Sequence, residues 1–511
     1  MTRAGISKRT ISSALLLIIS VGFFLRLRAA NHPYISQWDE AYHALVAKNL
    51  TAHPLEPTLY EETVLPADDR EWTKARVWLH KPTLPLWLMS AGIAVFGENE
   101  LSFRLPAVVF DTLVILLIFL LGDELFDAAR HRAGLFAAAF YAINPLMIRL
   151  VSGRIPNDTT NAVTVFFVAL TVFLFVVSAR RNSRLAAAAA GLALGLGTLC
   201  MSAVAMLGLA ASLPFLLSVR GARGGARLLA VAFVAFAAAA LPWPLYCWNH
   251  WPELWRQESA IHAVRHLRFA IDGHAHPWWW YIKILPVQYG GSAVFVWASV
   301  FAASAYAVRE ALRIKSPGLV TVLCWMLLPY LFFSAITTKI YAYVCVAVPA
   351  VCLLWGFCAA SLWAARDGRC RATVLGVLLA VGAQTSLVAG ERIRADYGTC
   401  PWNNLYDYPA FRRAMLALRR VPGRKVILNV GDSKSPQAMY YSGTSAYPDA
   451  PSAAIVRGLL DRGYRVFVLV EANKRGADVP PEMKRAEFRG KIVFIPLPSP
   501  LYVDSKHPYE T

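Results

Sequence analysis

The first 390 residues alternate between long apolar runs and short polar segments. Four of these runs, at 15–25, 113–121, 162–177 and 344–360, are almost free of charge. A helix rises 1.5 Å per residue, so about 20 apolar residues cross the ~30 Å hydrocarbon core of a membrane. The pattern predicts a polytopic α-helical membrane protein with about eleven transmembrane helices, at 10–29, 103–122, 134–151, 157–179, 185–200, 203–219, 227–247, 286–308, 318–336, 340–363 and 372–390.

A shorter apolar segment at 84–96 decides the predicted topology. About 13 residues rarely span a bilayer, and such a segment is more often interfacial or re-entrant. If it does not cross, every cluster of Lys and Arg between the predicted helices falls on one side, as is typical of cytoplasmic loops. The N-terminus is then cytoplasmic, and the large loops at 30–102 and 248–285 lie on the outer face.

The sequence changes character at about residue 391. Residues 425–430, 464–471 and 491–497 have the pattern of β-strands, while 408–419 and 452–461 have the pattern of helices. Their alternation predicts a small extracytoplasmic α/β domain at 391–511, after a transmembrane domain at 1–390. No strand is followed by a GxGxxG loop or a P-loop, so the sequence does not support nucleotide binding.

Composition agrees with a membrane protein, because 57% of the 511 residues are hydrophobic and only 16% are charged, against about a quarter in soluble domains. The net charge of +19 could suggest nucleic acid, but the basic residues form short clusters between the apolar runs. We therefore expect membrane lipids, and no nucleic acid, as partners. A disulfide between Cys247 and Cys400 is compatible with the topology, although spacing alone cannot establish it.

The first outer loop carries two groups of polar residues. Asp39 and Glu40 lie shortly after the first predicted helix, where carboxylates could meet a polar substrate. The alternative is a solvated helix start, because acidic residues favour a helix N-terminus. His80 and Lys81 precede Pro82, and a Lys on a stiff, extended backbone suits a phosphate. The alternative is that Lys81 extends towards lipid headgroups.

Other polar residues stand at helix ends on the same predicted face. A charge at a membrane boundary costs less than one at the centre, so each residue alone is ordinary. Their shared side is the informative feature. They are Arg104 at the start of the second helix, Arg154 and Asp158 at a later helix end, and Lys339, Tyr341 and Tyr343 at a third.

The second outer loop is rich in Trp and His. An aromatic belt with an interfacial helix is one interpretation, and a platform for sugar or lipid is the other. His262 and His266 have the i, i+4 spacing that can hold a metal, but no metalloprotease motif follows from them.

Four segments occur in a fixed order. Trp38-Asp39-Glu40 precedes His80-Lys81-Pro82-(x)2-Pro85-Leu86-Trp87-Leu88, then Phe96-Gly97-(x)2-Glu100-(x)3-Arg104-Leu105-Pro106, and later Thr338-Lys339-(x)-Tyr341-(x)-Tyr343 before Pro349. In order and spacing they resemble the membrane-embedded GT-C glycosyltransferases, above all the branch with aminoarabinose transferases and protein O-mannosyltransferases. The resemblance covers the predicted helices and the first loop.

This resemblance implies an inverting transferase at the outer face of the inner membrane. It would move a sugar from a polyprenyl-phosphate donor to lipid A, protein or another envelope acceptor. Asp39 matches the family's general base, and Lys81 matches a Lys that contacts phosphate. The candidate catalytic residues are Asp39, Glu40 and Asp158, and the candidate phosphate-binding residues are Lys81, Arg104, Arg154, Lys339, Tyr341 and Tyr343.

Two positions depart from the family pattern. Tyr42 stands where relatives often have Arg, so the contact with the donor phosphate could differ. His80 replaces a Glu that helps to bind a metal in aminoarabinose transferases. The resemblance therefore leaves open a divalent metal ion, with His80 as its candidate ligand, and implies no other cofactor.

A transporter and a non-enzymatic envelope assembly protein are the alternative functions. Transporters usually place charged residues near the membrane midplane, often with a twofold repeat. Here the predicted helices are nearly free of charge, with Asp111 as the main exception. An assembly protein would not need Asp39, Lys81 and Asp158. The sequence leaves the sugar and the acceptor open.

Overall fold

The computed structural model describes residues 7–498, except for 34, 37, 70, 128–129, 154–157, 262–267, 271–273, 291, 365–367, 382, 384–407, 474–475 and 478–479. The chain divides into two compact units. The helical unit takes 1–31, 82–85 and 104–389, and the mixed unit takes 32–81, 86–103 and 390–511. Each unit has a hydrophobic core of its own.

Most described residues before 382 are helical, as the apolar runs predict. The helices are Lys8–Ala30, Asp39–Asn49, Thr83–Phe96, Glu100–Leu125, Arg130–Ala142, Pro145–Leu150, Asp158–Arg181, Arg184–Ala240, Pro242–His250, Pro252–Ala260, Trp280–Tyr289, Ala293–Ile314, Pro317–Ala335 and Val348–Ala364, with a 3-10 helix at Tyr343–Ala347 and a helix at 368–381.

Length and composition identify the helices that can cross a membrane. Among the described residues six helices qualify, and seven do if Trp280–Tyr289 and Ala293–Ile314 count as one. The predicted polytopic helical fold is confirmed, while the number eleven stays a prediction. The segment predicted not to cross is a helix of 14 residues, Thr83–Phe96, which is shorter than a bilayer requires.

Three predicted helices fall on the single run Arg184–Ala240 and the residues that follow it. The backbone leaves helical geometry at Met201, Ser202 and Gly221, which lie between the predicted helices. These breaks allow the run to fold back on itself. A Cβ atom on Gly191 would lie 1.9 Å from the carbonyl oxygen of Ala232, so only glycine permits the two backbones to touch there.

A buried ion pair joins three helices of the helical unit. Arg26, in the first helix, contacts Asp111, in the fourth, at 2.5 Å, and neither side chain is exposed. The hydroxyl of Tyr141, in the fifth helix, donates to the second carboxylate oxygen. Both charges are therefore paired and hydrogen-bonded, which is the condition for burying them. Arg26 also donates to three backbone carbonyl oxygens, those of Gly22, Tyr141 and Ala142.

The mixed unit contains a four-stranded sheet, and the central strand is β2. The strands are β1 (Lys425–Leu428), β2 (Arg465–Asn473), β3 (Gly476–Ala477) and β4 (Ile492–Pro498). β1 and β4 are parallel to β2, and the short strand β3 is antiparallel to the end of β2. The predicted strands and helices are confirmed to within a few residues, whereas β3 and the helix Ser435–Ser442 were not predicted. The helices after residue 407 are Tyr408–Arg419, Ser435–Ser442 and Ala453–Asp461, with 3-10 helices at Pro481–Lys484 and Ala486–Phe488.

One hydrophobic core in the mixed unit contains side chains from distant parts of the sequence. Tyr42 and Trp78 lie in the same buried cluster as Phe411 and Leu428. The residues after the first helix and the C-terminal residues therefore fold together. No local pattern in the sequence indicates this, because it depends on contacts between residues more than 300 positions apart.

Glu98 forms ion pairs with both the part of the mixed unit that follows the first helix and its C-terminal part. Its carboxylate contacts Lys48 at 2.8 Å and Arg419 at 2.8 Å. Burial alone would raise the pKa of Glu98, but the hydrogen bonds from Arg419 and Lys48 outweigh it and lower that pKa. The carboxylate is therefore held in its charged form between the two cations.

We expect Asp111→Asn to destabilise the protein by about 3 kcal/mol or more, because it leaves the Arg26 guanidinium buried without a counter-charge. Thermal unfolding of the purified protein in detergent measures the loss. The control is the double variant Arg26→Met with Asp111→Leu, which removes both charges and should recover most of the stability. Equal losses in the single and double variants would show that the pair does not act as a pair.

Candidate active site

Asp39 is the first residue of the helix Asp39–Asn49. The first amide groups of a helix carry partial positive charge, so a carboxylate is favoured there. A helix does begin at the acidic pair, as the alternative interpretation expected. It is not a solvated helix, however, because residues 41–47 are buried. The preceding residue, Trp38, has a φ of +62°, which is rare for a bulky residue. Backbone strain of this kind is concentrated beside functional groups.

Asp39 and Lys81 form an ion pair within the mixed unit. Oδ1 of Asp39 lies 3.3 Å from Nζ of Lys81, and the two side chains are 21% and 17% exposed. The sequence predicted both as site residues, and the structure brings them together. Because each group keeps part of its surface in contact with solvent, both can meet a ligand at the surface of the unit.

Aromatic rings lie beside this pair. Trp72 stacks on His80 with ring centroids 4.5 Å apart and an interplanar angle of 9°. It also lies 4.7 Å from the ring of Tyr42 and 6.5 Å from that of Trp38, which is 37% exposed. Flat apolar rings next to a few charged groups are typical of small-ligand sites. No motif in the sequence indicates Trp72, because an isolated Trp in a loop has no pattern of its own.

Glu40 has a different environment from Asp39. Its side chain is 2% exposed, and Oε2 accepts a hydrogen bond from the backbone N–H of Ser36 at 2.6 Å. This bond supports the turn that leads into the helix. The catalytic role of Glu40 stays a prediction.

His80 is the candidate metal ligand that follows from the family resemblance. Its ring lies flat on Trp72. Within the described ranges, no group of three or more His, Cys, Asp or Glu side chains could hold a metal ion, and His262 and His266 lie outside those ranges. The described side chains therefore do not fit a metal centre, and metal dependence stays a prediction.

Lys339 lies in the helical unit, in the segment before the 3-10 helix Tyr343–Ala347. The segment is fixed by a bridge between Ala275 and Thr338. The Lys339 residue is 4% exposed, and its ammonium donates to the carbonyl oxygen of Ile336. Burial lowers the pKa of Lys339. An ammonium has three donors, so two remain for an acceptor such as a phosphate oxygen.

Tyr341 shares its acceptor with an arginine that the sequence analysis missed. The Tyr341 hydroxyl donates to the carbonyl oxygen of Val287 at 3.0 Å, and Nη2 of Arg149 donates to the same oxygen at 2.8 Å. The Arg149 guanidinium also lies 5.8 Å from the centroid of the Tyr341 ring. Arg149 was missed because it lies inside a predicted transmembrane helix. Tyr343 is buried against Phe333, with centroids 5.0 Å apart.

The remaining predicted residues lie elsewhere in the helical unit. Arg104 is fully buried, and Nη1 donates to the carbonyl oxygen of Ala30 at 3.1 Å. Asp158 begins the helix Asp158–Arg181, but its side chain lies outside the described part, as does Arg154. Their predicted roles stay predictions.

An apolar cavity of about 440 Å³ lies in the helical unit. Its wall is made of aromatic rings and small side chains, with almost no charge. Such a cavity suits a hydrocarbon chain rather than a polar group. The rings that line it include those of Phe140, Tyr289, Tyr306 and Trp355.

The helix that begins at Asp39 rests on the loop after β1. The Tyr42 hydroxyl donates to the carbonyl oxygen of Asp432 at 3.0 Å. Burial raises the pKa of the Asp432 carboxyl and lowers the pKa of Lys434 to about 8. Burial in this loop therefore disfavours both the Asp432 carboxylate and the Lys434 ammonium.

Comparisons with known proteins agree with this architecture. Residues 80–248 match the model of the family dolichyl-phosphate-mannose-protein mannosyltransferase. The structure of ArnT from Cupriavidus metallidurans bound to undecaprenyl phosphate aligns with 87% of both chains, at 16% identity and a TM-score of 0.60. The archaeal oligosaccharyltransferase AglB from Archaeoglobus fulgidus aligns with 87% of this chain and 65% of its own, at 13% identity and a TM-score of 0.60. The chain has the GT-C fold.

Two sequence relatives of this GT-C chain are named as arabinosyl transferases. An undecaprenyl phosphate-alpha-4-amino-4-deoxy-L-arabinose arabinosyl transferase 2 of Pseudomonas fluorescens is 26% identical over 398 residues, which are 75% of this chain and 62% of the relative. A transferase of the same description from Pseudomonas aeruginosa is 28% identical over 285 residues, 55% of this chain and 49% of the relative. The chain thus spans about half to three-fifths of the length of these relatives.

The buried Lys434 gives this GT-C protein a predicted pH dependence. The unfolded chain holds the Lys434 proton to about pH 10, whereas the folded protein releases it near pH 8. Between these values the unfolded state binds more protons, so stability rises with pH. We expect the unfolding free energy to rise by about 2 kcal/mol more in the wild type than in Lys434→Met between pH 8 and 10.

Unfolding in detergent at a series of pH values checks this expectation. The matched control is Lys491→Met, which removes an exposed lysine of the same unit and should follow the wild type. If Lys434→Met keeps the wild-type slope, the Lys434 side chain does not lose its charge near pH 8.

Proposed function

We propose that this protein is an inverting glycosyltransferase that moves a sugar from a polyprenyl-phosphate donor to an acceptor of the cell envelope. The observation that carries the proposal is the half-buried Asp39–Lys81 pair, with its charged atoms 3.3 Å apart. Sugar transfer from a lipid phosphate needs a base for the acceptor hydroxyl and a cation for the leaving phosphate. The likeness to ArnT and to the arabinosyl transferases supports the same reaction.

The proposed reaction is a single displacement at the anomeric carbon. The acceptor oxygen forms a bond to that carbon while the bond from carbon to the phosphate oxygen breaks, and the configuration inverts. Asp39 takes the proton from the acceptor hydroxyl. The bonding electrons leave with the lipid phosphate, and Lys81 stabilises the negative charge that develops there. The sugar passes through a transition state with positive charge at the anomeric carbon.

Lys339 is proposed as a second phosphate-binding cation. Lys339 is a buried residue of the helical unit, and its ammonium donates to the carbonyl oxygen of Ile336. Tyr341, two residues further along the chain, would support it, because its hydroxyl bond to the carbonyl oxygen of Val287 ties this segment to the helix Trp280–Tyr289. Arg149 binds the same oxygen. We propose no metal step, because the described side chains do not form a metal centre.

The lipid part of the donor needs an apolar site. The 440 Å³ cavity of the helical unit has the lining that a polyprenyl chain requires. We place the protein in the inner membrane with the mixed unit on the outer face and the N-terminus in the cytoplasm. This orientation puts the clusters of Lys and Arg on the cytoplasmic side.

The sugar is the finer part of the proposal. Because the sequence relatives are named for 4-amino-4-deoxy-L-arabinose, we propose this pentose as the donor sugar. A hexose such as mannose is the second candidate, because residues 80–248 match a mannosyltransferase family. The acceptor is lipid A in the first case and protein in the second.

We expect Asp39→Asn to lower kcat about 100-fold or more, because the acceptor hydroxyl loses its base. The assay uses purified protein in detergent with radiolabelled undecaprenyl-phosphate sugars, and membrane extract as the acceptor. The matched control is Asp461→Asn, an exposed carboxylate in the same unit, which should transfer at the wild-type rate. The labelled product separates lipid from protein acceptors.

Two outcomes would contradict the proposal. Transfer by Asp39→Asn at the wild-type rate would remove Asp39 from the reaction. Uptake of labelled substrate into sealed vesicles without any covalent product would favour a transporter.

Lys81 gives a separate prediction. We expect Lys81→Met to lower kcat by about tenfold or more, because the leaving phosphate loses a stabilising charge. Lys81→Arg keeps the charge and should retain part of the rate. A donor with a better leaving group than phosphate should reduce the effect of Lys81→Met, and an unchanged effect would argue against contact with the leaving group.

A further inference from the structure

Ile35 lies four residues before Asp39, and its backbone is held at both polar groups by side chains from the C-terminal part of the mixed unit. The N–H of Ile35 donates to the Tyr408 hydroxyl oxygen at 2.6 Å. The carbonyl oxygen of Ile35 accepts from Nε2 of Gln437, also at 2.6 Å. Ile35 and Gln437 are fully buried and Tyr408 is 5% exposed. A backbone segment clamped in this manner has little freedom to shift.

The clamp is itself anchored by a directed chain of hydrogen bonds. Tyr441 donates to Oε1 of Glu100 at 2.9 Å, and Nε of Arg412 donates to the same oxygen at 2.8 Å. The hydroxyls of Tyr408 and Tyr441 are 2.9 Å apart. Because the Tyr441 proton is used on Glu100, Tyr408 donates to Tyr441 and its own oxygen accepts from the backbone. Every hydroxyl in this chain therefore has a fixed role.

The helix beyond Asp39 is held by the same C-terminal part. Tyr42 donates to the carbonyl oxygen of Asp432 at 3.0 Å, and Lys48 donates to that of Tyr440 at 2.9 Å. Contacts thus precede and follow Asp39 on the chain. A general base must be held within a fraction of an ångström of its productive position, and a displacement of about 1 Å can cost 100-fold in rate.

We propose that Tyr408 and Gln437 are positioning residues for Asp39, which act by clamping the backbone of Ile35. The proposal rests on the proposed function, because it takes Asp39 as the general base. It assigns to the C-terminal part of the chain an indirect role in the reaction, exerted through the position of Asp39 and separate from any recognition of the acceptor.

The test compares two tyrosines that lose equivalent hydroxyls. Tyr408→Phe removes the acceptor for the N–H of Ile35. Tyr447→Phe removes a hydroxyl of the same unit that accepts the N–H groups of Val64 and Leu65 at 2.9 and 2.8 Å. Both tyrosines are at most 8% exposed, so both variants should lose similar thermal stability. Only Tyr408→Phe should change the reaction.

We expect Tyr408→Phe to lower kcat roughly tenfold while the KM for the donor changes less than about twofold. Gln437→Leu should act in the same direction, and Tyr447→Phe should keep the wild-type kcat. Hydrogen exchange of the backbone amides at 35–42, read by mass spectrometry on the full chain, should accelerate in Tyr408→Phe and Gln437→Leu alone. In the Asp39→Asn background, Tyr408→Phe should lower the rate no further, since residues that act as a unit are not additive.

The outcomes separate this inference from the proposed function. If Tyr408→Phe and Tyr447→Phe lower kcat equally, or if Tyr408→Phe leaves kcat unchanged, the positioning role is wrong even when Asp39→Asn abolishes transfer. A further loss from Tyr408→Phe on top of Asp39→Asn also overturns it. If Asp39→Asn transfers at the wild-type rate, the base assignment fails, and the positioning role fails with it.

Discussion

The ion pair between Arg26 and Asp111 is the constraint around which the helical unit is arranged. Neither group has contact with water, so each must find its partner wherever the helices pack. The geometry that satisfies both charges brings the first, fourth and fifth helices together. Arg104 then donates to the carbonyl oxygen of Ala30. The chain leaves the helical unit after Asn31, rejoins it briefly at 82–85, and returns to it at Arg104 next to the end of the first helix.

This constraint has a consequence for the segment between those points. Residues 32–81 and 86–103 have no core within the helical unit and build one with the C-terminal residues instead. The helix that begins at Asp39 is buried along most of its length, while Asp39 itself stays partly exposed at its start. A buried helix thus carries a partly exposed carboxylate at its start. The strained backbone of Trp38 is tolerated because contacts on both sides of it determine the conformation.

Much of the fold was predictable, because the signals are local. Apolar runs predict the membrane helices, and the strands and helices after residue 408 lie within a few residues of their predicted positions. Asp39 and Lys81 were predicted and are paired. The hydrogen bonds of Gln437 and Tyr408 to the backbone of Ile35 could not be predicted, because a buried Gln or Tyr has no pattern until the residue opposite it is known. Arg149 was hidden for a related reason, since it lies within a predicted transmembrane helix.

The solvent exposure of the side chains divides the predicted site residues into two groups, which the sequence alone does not distinguish. Glu40, Arg104 and Tyr341 are buried and bind backbone groups of their own units. If Glu40 or Arg104 gave up its bond to meet a substrate, a backbone polar group would lose that partner, which costs about 1–3 kcal/mol where the group is left buried and unsatisfied. The carbonyl oxygen that Tyr341 binds would keep its bond from Arg149. Asp39 and Lys81 each keep part of their surface in water, so a ligand can reach them from the solvent. A substrate that replaces this water exchanges one set of hydrogen bonds for another, so the half-buried pair is where a polar substrate can bind with the smallest disturbance of the fold.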